Sequence, residues 1–133
     1  MRFIKFLSII SLLSALIGCA AMSEDQTSGW SAEQLYQDAR EALDNGEYEH
    51  AVQAYTKLES RYPYGRYAQQ AQLETIFAHY KAGETSSAIA AADRFIKFHP
   101  RHASADYAYY LRGLTAKKAR IKERRVKVER AEE

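Results

Sequence analysis

The one cysteine of this 133-residue chain, Cys19, closes the run Leu16-Ile17-Gly18-Cys19. Its thiol stands where a secretory signal would be cut. Arg2 and Lys5 give a positive start, Phe6 to Ile17 an apolar stretch, and a small residue precedes the cysteine. That stretch is too short to serve as a mature membrane span, and a lone cysteine excludes an intramolecular disulfide. His99 and His102 have a His-x-x-His spacing that suggests a metal. Pro100 lies between them, however, so they sit at a helix end, and no carboxylate or cysteine close by completes a ligand set. No metal site is expected. The chain has no glycine-rich phosphate loop, no nucleophile elbow and no His-Glu-x-x-His. Its carboxylates are scattered, so no catalytic residues are assigned and an enzyme is not expected. What remains is recognition chemistry. Tyr62, Tyr64 and Arg66 crowd one stretch; tyrosine offers apolar area with a hydrogen-bonding tip, and arginine can grip a carboxylate through two parallel bonds.

An internal repeat supplies the elements that position them. Shifted by 37 residues, Gly46 falls on Gly83, Ala51 on Ala88, Val52 on Ile89, Leu58 on Phe95 and Pro63 on Pro100. Upstream, Ala39 falls on Ile76 and Leu43 on Tyr80. A mid-unit Gly, an Ala soon after and a closing Pro resemble the tetratricopeptide unit. Such a helical hairpin cannot bury its apolar face alone and stacks on the next copy. The fold class is therefore all-α, a tetratricopeptide-like solenoid of about two and a half repeats. Repeat 1 takes residues 31–66. Its first helix runs from Ser31 to Asp44, with Ser31 and Gln34 as a capping box and Trp30 stapled onto Leu35. Asn45-Gly46 ends it, and the partner helix spans Tyr48 to Arg61, burying Ala51, Val52, Tyr55 and Leu58. Ala51 and Ala88 are small where two helix axes close on one another. Repeat 2 takes 67–101, with helices over Tyr67–Ala82 and Glu84–Phe98, and Pro63 and Pro100 stop the second helices.

Residues 102–116 give repeat 3 a first helix with Ala105, Ala108 and Leu111 as its apolar side. There the register fails, since the mid-turn Gly position falls on Arg120 and the small Ala on Arg125. Residues 117–133 are a charged tail, helical or disordered, with eight Lys or Arg against four Glu, a balance of +4. The segment 19–116 has nine against thirteen, a balance of −4. A basic end on a mildly acidic body is hidden inside a net charge of +2. Leu114, Ile121 and Val128 recur every seven residues in that end, too few for a coiled coil. The tail offers charge to nucleic acid or anionic lipid but reads as a solvated helix. No nucleic-acid partner is expected.

Two resemblances bear on function. The end of the signal resembles a bacterial lipobox, in which the cysteine is acylated and becomes the new N-terminus. Residues 1–18 are then a lipoprotein signal peptide, 19–30 a flexible tether, and Cys19 carries a covalent N-acyl diacylglycerol. No other cofactor is expected. With the repeats, the chain resembles the BamD (ComL) family of tetratricopeptide lipoproteins of the outer-membrane β-barrel assembly machine. Three stretches carry the likeness over residues 1–116: Arg61-Tyr62-Pro63-Tyr64-Gly65 with Tyr67 to Leu73; Ala92-Asp93-Arg94-Phe95-Ile96 with Pro100; and Asp106-Tyr107 with Tyr110 to Thr115. Members carry further repeats. The resemblance implies a non-enzymatic scaffold at the outer membrane, lipid-anchored on its periplasmic face, an assignment that Ala20 favours over the inner membrane. Its partners would be unfolded outer-membrane proteins, recognised by the N-terminal repeats through a C-terminal signal strand. The barrel-assembly subunits, BamA included, would dock on C-terminal repeats that this chain lacks. Two alternatives stand beside it: a general periplasmic tetratricopeptide lipoprotein scaffolding envelope or cell-wall proteins, and a truncated fragment without function, its tail the product of a shifted frame.

On that reading, Tyr62, Tyr64, Arg66, Tyr80 and Arg112 would hold a client peptide that ends in an aromatic residue and a carboxylate. Packing of the joint between hairpins is the competing role for the two tyrosines before Arg66. Tyr80, Tyr107, Tyr109 and Tyr110 pose the same choice. Tyr110 maps onto Leu73 and is the expected core member, whereas Tyr107 and Tyr109 map onto Gln70 and Gln72.

Overall fold

The computed structural model describes residues 25–132. Cys19, the 1–18 segment and the first part of the 19–30 tether lie outside them. Five helices follow one another: α1 Ala32–Asp44, α2 Tyr48–Arg61, α3 Arg66–Ala82, α4 Thr85–Phe98 and α5 Ala105–Glu132. Among the described residues no helix is long and apolar enough to cross a membrane. The all-α tetratricopeptide-like architecture is the one the repeat predicts. Ser31 caps α1 as expected, its hydroxyl accepting from the Gln34 N–H at 3.2 Å while the Gln34 side chain accepts from the Ser31 N–H at 2.9 Å. Gly46 and Gly83 end the first helices of the two units at φ +80° and +81°. Any other L-residue would be strained there by about 1–2 kcal/mol.

Ala51 and Ala88 are fully buried, and alanines make up more than half of the buried apolar side chains. Small contacts let helix axes approach and leave little tolerance for added volume. Two clusters form. One gathers Leu35, Ala51, Tyr55 and Leu58 with Trp30 and Val52 at its edge; the other gathers Leu73, Ile76, Phe95 and Leu111, and Phe77 packs against both. Each helix packs on its neighbours in sequence, and α1 meets α3 as α3 meets α5. By contrast, no Cα of α2 lies within 8 Å of one in α4. Like helices of successive units therefore meet along α1, α3 and α5, which form the inner layer of a curved stack. Across the outer groove, Arg94 Nη2 reaches Glu59 Oε2 at 3.3 Å. Burial pushes the Glu59 carboxyl above its ordinary range, and the Arg94 charge opposes that rise.

The third unit departs from expectation in two ways. Where the register places a turn at Arg120, α5 runs straight through, 28 residues to Glu132. Ala116 to Arg130 contains no Gly or Pro and is dominated by Ala, Lys, Arg and Glu, all strong helix formers. The tail is thus helix. Second, Tyr110, expected in the core, is 61% exposed. Its repeat equivalent Leu73 is covered because α3 is followed by a packing partner, α4, whereas the chain after Tyr110 continues along its own axis. Tyr107 and Tyr109 are exposed as well.

The segment before α1 is clamped. Asp25 accepts hydrogen bonds from the Thr27 N–H at 3.0 Å and hydroxyl at 2.7 Å, from Lys57 Nζ at 3.1 Å, and from Arg61. These bonds, those from Thr27 first, hold the carboxyl far below its ordinary range. A depressed carboxylate stabilises the fold above its unfolded pKa of about 3.9 and loses that contribution as pH falls below it. Acid should therefore release this segment, and Asp25→Asn should release it at neutral pH. Acrylamide quenching of Trp30 is the check; quenching unchanged in the variant would contradict the clamp.

Candidate functional site

The joint between the two repeats is made by Tyr62-Pro63-Tyr64-Gly65. Pro63 cannot extend α2, so Tyr62 closes it, its N–H reaching Leu58 O at 2.8 Å. Gly65 precedes α3 at φ +97°, ψ −179°, a region other residues avoid. The turn so formed divides the two tyrosines. The Tyr62 hydroxyl donates to Trp30 O at 2.8 Å, lashing the joint to the segment before α1. Tyr64 is 91% exposed.

Arg66, the first residue of α3, lies with its guanidinium 4.8 Å from the centre of the Tyr67 ring and donates from Nη2 to the Tyr67 hydroxyl at 3.0 Å. Tyr67 lies 5.5 Å from Tyr36, and Tyr36 5.9 Å from buried Tyr55. A row of rings thus backs the guanidinium. Among the described residues no carboxylate pairs with Arg66, whereas Arg40, Arg61, Arg94 and Arg112 are each ion-paired. Among the described residues Arg66 is thus the joint's cation without a carboxylate, its guanidinium fixed in direction by Tyr67.

A second network crosses the inner layer behind this row. Glu74 Oε1 accepts from Arg40 Nη1 at 3.1 Å and Gln70 Nε2 at 2.9 Å, and Arg40 also pairs with Asp44 at 3.2 Å. Asp44 and Glu74 hold the Arg40 guanidinium protonated even more firmly than usual. Burial, then the Glu74 charge, pushes the Tyr36 hydroxyl up. Tyr107 and Tyr110 stack at 6.5 Å. Neither this network nor Tyr36 and Tyr67 was singled out from sequence. The four-residue spacings Tyr36-Arg40-Asp44 and Gln70-Glu74 on first helices are the sequence signal for the polar network.

The five expected site residues do not converge. Tyr62, Tyr64 and Arg66 share the joint. Tyr80 lies 14 residues further along α3, about 21 Å away at the helical rise, where Lys118 Nζ sits 4.8 Å over its ring. Arg112 is committed to Asp93 at 2.8 Å and lies against Tyr109, tying α5 to α4. The two histidines are structural at this helix end. His99 hydrogen-bonds with Gln72 at 3.0 Å, His102 Nδ1 accepts from the Ser104 N–H, and both rings lie against Phe95. Among the described residues no cluster of three or more metal-ligating side chains occurs.

Sequence comparison adds kinship to this geometry. The YfiO family model, described as an outer membrane lipoprotein, matches residues 29–132. It therefore runs past residue 116, where the likeness read from motifs stops. The outer membrane protein assembly factor BamD of Neisseria meningitidis serogroup B is 47% identical over 115 residues, covering 83% of this chain and 43% of the relative. The factors of the same name from Vibrio cholerae and Caulobacter vibrioides are 38% and 31% identical over 82% and 81% of the chain. The chain spans less than half the length of these curated relatives.

Proposed function

The chain belongs to the YfiO family of outer membrane lipoproteins, and from that premise we propose that it is a lipid-anchored scaffold in outer-membrane protein assembly. Cys19 carries the N-acyl diacylglycerol and holds the repeats at the periplasmic face of the outer membrane. The joint at Tyr62, Tyr64 and Arg66 receives an extended C-terminal segment of an unfolded outer-membrane protein. Tyr64 supplies an aromatic face for the terminal aromatic residue, and Arg66 takes the terminal carboxylate through two parallel bonds. Other barrel-assembly subunits are its protein partners.

One observation carries the reading: an exposed tyrosine and an arginine that pairs with no carboxylate among the described residues stand together at the same joint. Tyr80 and Arg112, at some distance and otherwise engaged, are left with packing and ion-pair roles. Photocrosslinking tests the placement. A photoreactive residue at position 64 is expected to capture a client C-terminal peptide, and one at position 98, exposed on α4, is not. Equal labelling at both would overturn it.

A further inference from the structure

The exposed half of α5 has a pattern the joint does not use. Leu114 is followed at three and four residues by Lys117 and by Lys118, which is held against Tyr80, and Ile121 likewise by Arg124 and Arg125. On a helix these positions share a face, so an apolar row from Leu114 through Ile121 to Val128 has cations beside it. Ile121 and Val128 are 50% and 56% exposed. Within residues 117–128 the one carboxylate, Glu123, stands apart from this pattern. Glu123 is paired with Lys127 at 2.8 Å on another face, and Glu129 and Glu132 lie only at the tip.

We infer that the α5 extension, residues 117–130, lies along a surface of anionic phospholipid headgroups, a second membrane contact independent of the client joint. The spacing decides between partners. A partner helix needs apolar residues three or four positions after each member of the row to complete its seam, and after Leu114 and Ile121 those positions are Lys and Arg. A second copy of the chain would bring these cations against one another. A plane of phosphates over an acyl boundary suits the pattern, since the apolar row sits at the boundary while the long cationic stems reach the headgroups. The family is an outer membrane lipoprotein family, so a membrane is at hand.

Hydrogen exchange of the full chain reconstituted into vesicles is the test, with no client peptide present, so its outcome is separate from that of the joint. Amides of residues 119–130 are expected to exchange about tenfold more slowly on vesicles with about 30% phosphatidylglycerol than on phosphatidylcholine alone. About 0.5 M salt should remove most of the difference. The double substitution Arg124→Glu and Arg125→Glu should remove it too while leaving exchange in α1 to α4 unchanged. Equal exchange on both vesicles would overturn the inference. So would equal slowing by polyglutamate or single-stranded DNA in detergent, which would make the extension a general polyanion binder.

Discussion

Replacing Phe95 with alanine is expected to remove about 3–5 kcal/mol of stability. Phe95 is 1% exposed and sits at the centre of the second cluster, among Leu73, Ile76, Ala92, Ala108 and Leu111, with His99 and His102 against its ring. Its loss opens a cavity where α3, α4 and α5 meet, and the surrounding alanines have no bulk with which to fill it. Domains of this size hold about 5–15 kcal/mol in total, so the variant should be near unfolding. Phe98→Ala, one turn on at an exposed position, should stay within about 0.5 kcal/mol of the parent. Urea unfolding followed by circular dichroism distinguishes them. Because repeats couple through neighbours, Trp30 fluorescence should report a later transition than the helical signal in the Phe95 variant. A loss under about 1 kcal/mol would contradict the packing described.

The second large effect concerns the joint. Arg66→Glu should weaken binding of a peptide ending in an aromatic residue and a free carboxylate by about 10- to 100-fold, the worth of a charge-assisted bond of about 1.5–3 kcal/mol. Arg66→Lys should fall between, since a point charge keeps the attraction without the planar fork. Arg112→Glu should leave peptide affinity unchanged, because that guanidinium is occupied by Asp93. Fluorescence anisotropy with a labelled peptide measures all three. Equal losses for Arg66→Glu and Arg112→Glu would mean a diffuse effect of charge and contradict a site at the joint.

Much of the fold is legible in the sequence because its signals are local. The capping box at Ser31, the glycines at 46 and 83 and the prolines at 63 and 100 each act within a few residues, and the 37-residue period repeats them. The failure at Tyr110 is instructive. Its repeat position predicts burial, but burial depends on a covering helix, and among the described residues none lies there. Period alone marks which face is apolar, not whether anything packs on it. The joint was legible as a cluster of residue types, while the commitment of Arg112 to Asp93 and of Tyr80 to Lys118 depends on contacts 19 and 38 residues apart. The chain of rings behind Arg66 joins α1 to α3 and has no sequence-local signature. It is what makes that arginine differ from its ion-paired neighbours.

The central claim, that Arg66 grips a client's terminal carboxylate, is tested most directly by a double-mutant cycle. Free-acid and C-terminally amidated forms of one client peptide are titrated against the parent chain and against Arg66→Gln, which keeps length and loses charge. Amidation is expected to cost the parent about tenfold or more in affinity and the variant almost nothing, a coupling of at least about 1.4 kcal/mol. The same loss on amidation in both proteins would contradict the claim.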